Sequence, residues 1–148
     1  MADELIEQLL ERTGLYVGTD HDPNRPERSP QVARINVAAL PGRVGVAIDY
    51  EGIRVDPQQP IGHAEHAVLA RSAHGVSLYS VSIHSPILIE LRETTRGYFE
   101  PEEGASPYPV AIRLEIPAAG RLVYTWLFAE PGGDLHVANI GDVTLTTG

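Results

Sequence analysis

The chain has 148 residues, 20 acidic and 11 basic side chains, and a formal net charge of −9. This acidic balance argues against partners that need clustered positive charge, such as a nucleic-acid backbone or an anionic membrane surface. The absence of cysteine excludes disulfides, thiolate catalysis and thiolate metal sites.

The length is that of one domain, so we expect a single domain over residues 1–148. No apolar run approaches the roughly 20 residues that a membrane-spanning helix needs. The first residues, Met1-Ala2-Asp3-Glu4, are acidic and lack the basic start of a secretory signal peptide. These features predict a cytoplasmic protein.

Residues 3–13 form the one helix that the pattern predicts. Its apolar side chains share one face: Leu5, Ile6, Leu9 and Leu10. Acidic residues occupy the first turn, where the helix dipole favours negative charge, and Gly14 follows as a stop. A helix this short needs a packing partner, and we expect it to cover the open end or an edge of a sheet.

After Gly14 the pattern changes to short alternating segments that are typical of strands. Residues 20–31 hold three prolines and no apolar side chain, so they are predicted to form a loop, and this loop is a candidate lid. Residues 96–109 are predicted to form a second long loop, and Gly141-Asp142 a tight turn. The predicted strands are 15–19, 32–39, 44–50, 63–71, 76–84, 87–93, 110–116, 121–129, 135–140 and 143–146.

Nearly all of these strands are joined by short hairpin turns, which favours antiparallel pairing between neighbours. A sheet of about ten strands curls and closes. We therefore predict an all-β fold, an antiparallel up-and-down closed barrel of about ten strands with a short N-terminal helix. The strand at 121–129 is apolar on both faces, which indicates that the helix or a second subunit covers its outside; a homodimer is one expectation.

The densest polar cluster is His63-Ala64-Glu65-His66. In a strand, His63 and Glu65 point to one face and His66 to the other, so the three cannot meet at one metal without a bulge. His63 and Glu65 are candidates for an acid–base pair, with His84 as a third group. The alternative is that these are solvated or hydrogen-bonded strand residues without a catalytic role.

Three aromatic residues, Tyr79, Tyr124 and Trp126, are candidates for a ligand pocket or for the filling of the core. Ser80 and Ser82 share a face with His84, where they would either line a polar cavity or point outward. Barrels of this strand number have interiors wider than side chains can fill, so a cavity is expected.

The segment Gly14-Leu15-Tyr16-Val17-Gly18 resembles the Gly-x-Trp-x-Gly opening of calycin barrels, with tyrosine in place of tryptophan. This group includes lipocalins, fatty-acid-binding proteins and nitrobindin-type proteins. The segment from Pro60 to His66 and the closing strands also resemble the nitrobindin-like layout. The resemblance implies a ligand-binding barrel, and for the nitrobindin-type group a heme held by a histidine near the C-terminal strands. His136 corresponds best to that metal ligand, with His84 or His66 as alternatives.

Three functional hypotheses follow. The first is a binding module for a small hydrophobic ligand, such as a fatty acid, a polyketide-like metabolite or heme. The second is an isomerase, cyclase or hydratase that uses His63, Glu65 and His84, with Arg113 or Tyr124 orienting the substrate. The third is a dimeric structural or regulatory partner.

Overall fold

The computed structural model describes residues 2–28, 30–54, 58 and 61–146. Met1, Ser29, Pro60 and residues 147–148, which fall within segments named above, lie outside the described residues. The elements are α1 (Ala2–Glu11), β1 (Gly14–His21), β2 (Gln31–Ala39), β3 (Gly45–Ile53), β4 (Ile61–Ser72), β5 (Gly75–Ser82), β6 (Ser85–Thr95), β7 (Tyr98–Glu100), β8 (Val110–Ala118), β9 (Arg121–Phe128) and β10 (His136–Leu145).

The strands form a closed antiparallel barrel in which each strand pairs with its neighbours in the sequence. The first and last strands close the ring, with Tyr16 opposite Leu145 and His21 opposite Ile140. Closure gives every strand a partner on each side, although the three-residue β7 pairs with only part of β6 and part of β8. This confirms the predicted all-β fold, its antiparallel up-and-down order and the short helix before it.

Strand ends shift by a few residues, as where β1 continues to His21 inside the predicted loop 20–31, and two strands differ from the prediction altogether. The predicted loop 96–109 contains the short strand β7, which brings Phe99 into the core at 0% exposure. The predicted turn at Gly141-Asp142 does not exist, because β10 continues through it. Position 141 requires glycine because Tyr50 approaches the backbone closely there: a Cβ at this position would collide with the hydroxyl of Tyr50.

Helix α1 packs against β2, β3 and β4 at one end of the barrel. Its apolar face is buried through Leu5, Ile6, Leu9 and Leu10. Exposed ion pairs surround this contact, from Arg71 to Asp3 and Glu7 and from Arg96 to Glu4. Across the described part of the chain, no helix has the length and apolar character that a membrane crossing requires.

The barrel interior is filled by alternating residues of each strand, as the period of two requires. In β9 the inward side chains of Leu122, Tyr124 and Trp126 are buried, and so are the outward side chains of Thr125 and Leu127. At Thr125 and Leu127 the outer face of this strand is therefore covered within the chain itself, while Val123 is partly buried. The apolar pattern that suggested a homodimer needs no second subunit.

Candidate functional site

A cavity of about 400 Å³ lies at the end of the barrel away from helix α1. The helix contacts Arg71, near the end of β4, through Asp3 and Glu7, whereas the cavity is lined where β1 ends, at Asp20, and β2 begins, at Gln31. One wall is aromatic, formed by Tyr108, Trp126 and Phe128. The volume is in the range of small-molecule sites in proteins.

Glu65 lies directly behind this wall, with a side chain that is 0% exposed. Its Oε2 atom accepts hydrogen bonds from Ser80 Oγ at 2.6 Å and from the Tyr124 hydroxyl at 2.5 Å. Its Oε1 atom accepts from Trp126 Nε1 at 2.7 Å and lies 3.0 Å from His63 Nε2. Two partners on each oxygen match the acceptor capacity of an ionised carboxylate.

Strand alternation explains how these side chains meet. His63 and Glu65 are two residues apart in β4 and both face inward, while Ser80 faces inward from the adjacent β5. Tyr124 and Trp126 face inward from β9, on the other side of the barrel. The carboxylate of Glu65 therefore joins both sides of the barrel interior through hydrogen bonds.

A second buried polar cluster contains Asp20, Tyr50 and Asn139. The Tyr50 hydroxyl donates to Asp20 Oδ2 at 2.9 Å, and Asn139 Nδ2 donates to the Tyr50 hydroxyl at 3.1 Å. Burial raises the pKa of Asp20, an effect that the hydrogen bond from Tyr50 partly offsets. Burial and then the charge of Asp20 raise the pKa of Tyr50 well above its usual range.

Sequence reasoning missed this second cluster, because Asp20 lay in a predicted loop and Tyr50 in an ordinary strand. Two glycines inside strands are the sequence feature that could have indicated this cluster. A Cβ at Gly52 would collide with Asp20 Oδ2, and one at Gly141 would collide with the Tyr50 hydroxyl. Glycines inside strands mark places where another group approaches closely.

Two histidines stack at the cavity. The rings of His63 and His84 are parallel within 21° with centroids 5.3 Å apart, and the ring of Tyr50 meets His63 edge-on at 4.7 Å. His63 is buried, whereas His84 is exposed in the turn between β5 and β6. Partial burial and then the charge of His63 lower the pKa of His84.

The structure brings most of the predicted site residues together: His63, Glu65, Ser80, Tyr124 and Trp126, with His84 at the rim. Ser80 and Ser82 are buried in the interior rather than turned outward. Glu65 itself is not on the cavity wall, so it reaches the cavity only through His63 and Trp126.

Four of the predicted residues lie elsewhere. Tyr79 is on the outer face of β5, with its hydroxyl 3.5 Å from Glu90, and Arg113 lies over the ring of Tyr98. His66 is on the outer face of β4, where Nδ1 is 2.6 Å from Asp49 Oδ1. His136 is exposed at the start of β10 and does not line the cavity.

These positions bear on metal and heme binding. Among the described residues, no group of three or more histidine or acidic side chains is placed to hold a metal ion. Of the three histidines considered as heme ligands, only His84 lines the cavity. Heme coordination by His136, or by His84 or His66, stays a prediction.

Neither protein-family models nor curated proteins provide a match to this chain. The class of protein is therefore defined by the fold and the site alone. The protein is a closed ten-stranded antiparallel barrel with a helix at one end and a cavity near the other.

Proposed function

We propose that this protein binds a small, mostly apolar molecule in the cavity of the barrel. The observation that carries the proposal is a cavity of about 400 Å³ with an aromatic wall, at the end of a barrel whose other end is covered by α1. Aromatic side chains supply large apolar contact area for a ligand, and a few polar groups fix its orientation.

The polar groups of the cavity indicate how the ligand is oriented. Asp20, Arg28 and Arg54 line the cavity together with His84. A ligand with an apolar body and one polar end would place the body against Trp126 and the polar end among these side chains. The calycin-like resemblance supports the same reading, since those barrels carry apolar ligands inside.

Trp126 is the only tryptophan of the chain, so its fluorescence reports on the cavity wall without labelling. The test is a titration with 1-anilinonaphthalene-8-sulfonate, which joins aromatic rings to one anionic group. We expect saturable quenching of the Trp126 emission, with a matching rise in dye emission. A linear, unsaturable response would contradict the proposal.

The variant Ala138→Phe places a ring on the cavity wall and should weaken dye binding at least about tenfold, because it occupies the space of the ligand. Ala38→Phe, at an exposed position of β2, is the matched control and should bind as the unmodified protein does. Equal dye binding by both variants would place the dye outside the cavity. Near-ultraviolet circular dichroism confirms that the packed native state is being measured.

A further inference from the structure

We propose that His63 is a general base that removes a proton from the molecule held in the cavity, and that Glu65 positions it. This inference rests on the proposed function, because the substrate is the bound molecule itself. The binding site would then also have an activity, in which His63 is the base and Glu65 the positioning residue.

The hydrogen bonds around Glu65 determine which nitrogen of His63 carries the proton. Trp126 Nε1 can only donate, so Oε1 of Glu65 is an acceptor. His63 Nε2 faces the same oxygen at 3.0 Å and therefore donates to it. In the neutral imidazole the other nitrogen, Nδ1, then keeps its lone pair and can accept a proton.

The two residues differ in their access to a ligand. His63 lines the cavity, whereas the side chain of Glu65 is 0% exposed and is absent from the cavity wall. Glu65 therefore cannot touch the substrate. Ser80 and Tyr124 hold its second oxygen, so the carboxylate has one orientation and passes that orientation to the imidazole. A base oriented by a buried carboxylate is a recurring catalytic arrangement.

A substrate that fits both the aromatic wall and a proton-accepting imidazole is a small apolar carbon acid, a molecule with a C–H bond next to an electron-withdrawing group. In the step, this C–H bond breaks, the proton goes to Nδ1 of His63, and the electron pair stays on the substrate as a delocalised anion. Return of the proton to a different carbon gives an isomer, so no oxidant or other reactant is needed. Arg28 and Arg54 both line the same cavity, and positive charge beside the substrate stabilises such an anion.

The test uses 5-nitrobenzisoxazole, an aromatic carbon acid of matching size. A base takes the proton from its C–H carbon, the electron pair forms the third carbon–nitrogen bond of a nitrile, and the N–O bond breaks to release a coloured phenolate. We expect saturable turnover by the unmodified protein. His63→Ala should lower kcat by about 100-fold or more, the contribution typical of a general base. Added imidazole should restore part of the lost rate.

His66→Ala is the matched control, because His66 lies on the same strand but on its outer face. It should leave kcat unchanged. Turnover that is equally fast in His63→Ala would show that His63 is not the base.

Glu65→Gln tests the positioning role. It should lower kcat at least about tenfold while binding of the inert analogue 5-nitrobenzotriazole, measured by Trp126 quenching, stays the same. Ser80→Ala is a milder variant that leaves the carboxylate in place, and it should lower kcat in the same direction. If binding weakens and kcat does not fall in either variant, Glu65 has only a structural role and the proposal is wrong.

The analogue separates this inference from the proposed function. If the analogue binds and the benzisoxazole is not turned over, the cavity binds ligands but His63 is no base. If 1-anilinonaphthalene-8-sulfonate binds and the analogue does not, the substrate class is wrong. If neither molecule binds, both proposals are overturned.

Discussion

Trp126 donates its indole N–H to Oε1 of Glu65 across 2.7 Å, although 61 positions of the sequence separate the two residues. The contact spans the interior from β9 to β4, and it joins the aromatic wall of the cavity to the buried carboxylate. A buried charge is stable only when its hydrogen-bonding capacity is met, so the network around Glu65 is also part of the stability of the barrel.

Glu65→Ala should therefore lower the free energy of unfolding by about 3–5 kcal/mol, because donors from three strands lose their acceptor inside the core. Urea denaturation followed by circular dichroism measures this loss. Asp49→Ala removes a carboxylate from the exposed pair with His66 and should cost less than about 1 kcal/mol. Similar losses in the two variants would contradict the role given to the buried network.

The pKa of Asp20 is raised from 3.8, chiefly by burial, so the folded state binds this proton more tightly than the unfolded chain does. Its effect on stability therefore becomes less favourable as the pH rises through the range just above 3.8. Asp20→Asn should gain stability relative to the unmodified protein over that range. Urea midpoints measured at several pH values report the difference.

Asp142 is a control for this prediction, because its pKa is shifted in the opposite direction. A hydrogen bond from Arg121 lowers its pKa from 3.8, so its contribution is present above that pH and is lost as the pH falls through the lowered value. Asp142→Asn should lose stability relative to the unmodified protein as the pH rises. The same sign of change in both variants would contradict this assignment.

Partial burial and the neighbouring charge of His63 lower the pKa of His84 from 6.5. An NMR titration of the histidine ring protons should give a midpoint below 6.5 for His84. His63→Gln removes the second largest of the lowering causes and should move that midpoint upward. His66→Gln should not change it, because His66 lies on the other face of β4.

Helix α1 is held mainly by apolar packing. Ile6 is 0% exposed, and Ile6→Ala should lower the free energy of unfolding by about 2–5 kcal/mol. Arg71→Ala removes exposed ion pairs to the same helix and should have a much smaller effect, since water screens them. A larger loss of unfolding free energy in Arg71→Ala than in Ile6→Ala would contradict this prediction.

Tyr108 has a buried hydroxyl with no hydrogen-bond partner in the described part of the chain. A buried polar group without a partner costs about 1–3 kcal/mol, so Tyr108→Phe should leave the protein equally stable or make it more stable. Thermal unfolding measures the change, with Tyr124→Phe as the comparison. Tyr124 donates to Glu65, and its loss should lower the melting temperature.

The sequence alone predicted the barrel because the two features that specify it, strand alternation and short turns, are local in the chain. Alternation of period two specifies which strand residues turn inward, and short turns specify which strands pair. Strand alternation also predicted that His63 and Glu65 share one face of β4 and that His66 lies on the other, and this is the arrangement in the structure. These rules did not predict the strand at 98–100, which is only three residues long, or the continuation of β10 through Gly141, where the glycine makes room for Tyr50 rather than a turn.

Only the tertiary structure decided which inward side chains meet. Alternation says that Trp126 and Glu65 both face inward, but the tilt and stagger of the closed barrel determine that they lie 2.7 Å apart. The same geometry brings Tyr50 to Asp20, leaves Tyr79 outside, and keeps His136 away from the cavity. These relations join residues far apart in the chain, and no local pattern in the sequence encodes a distance between them.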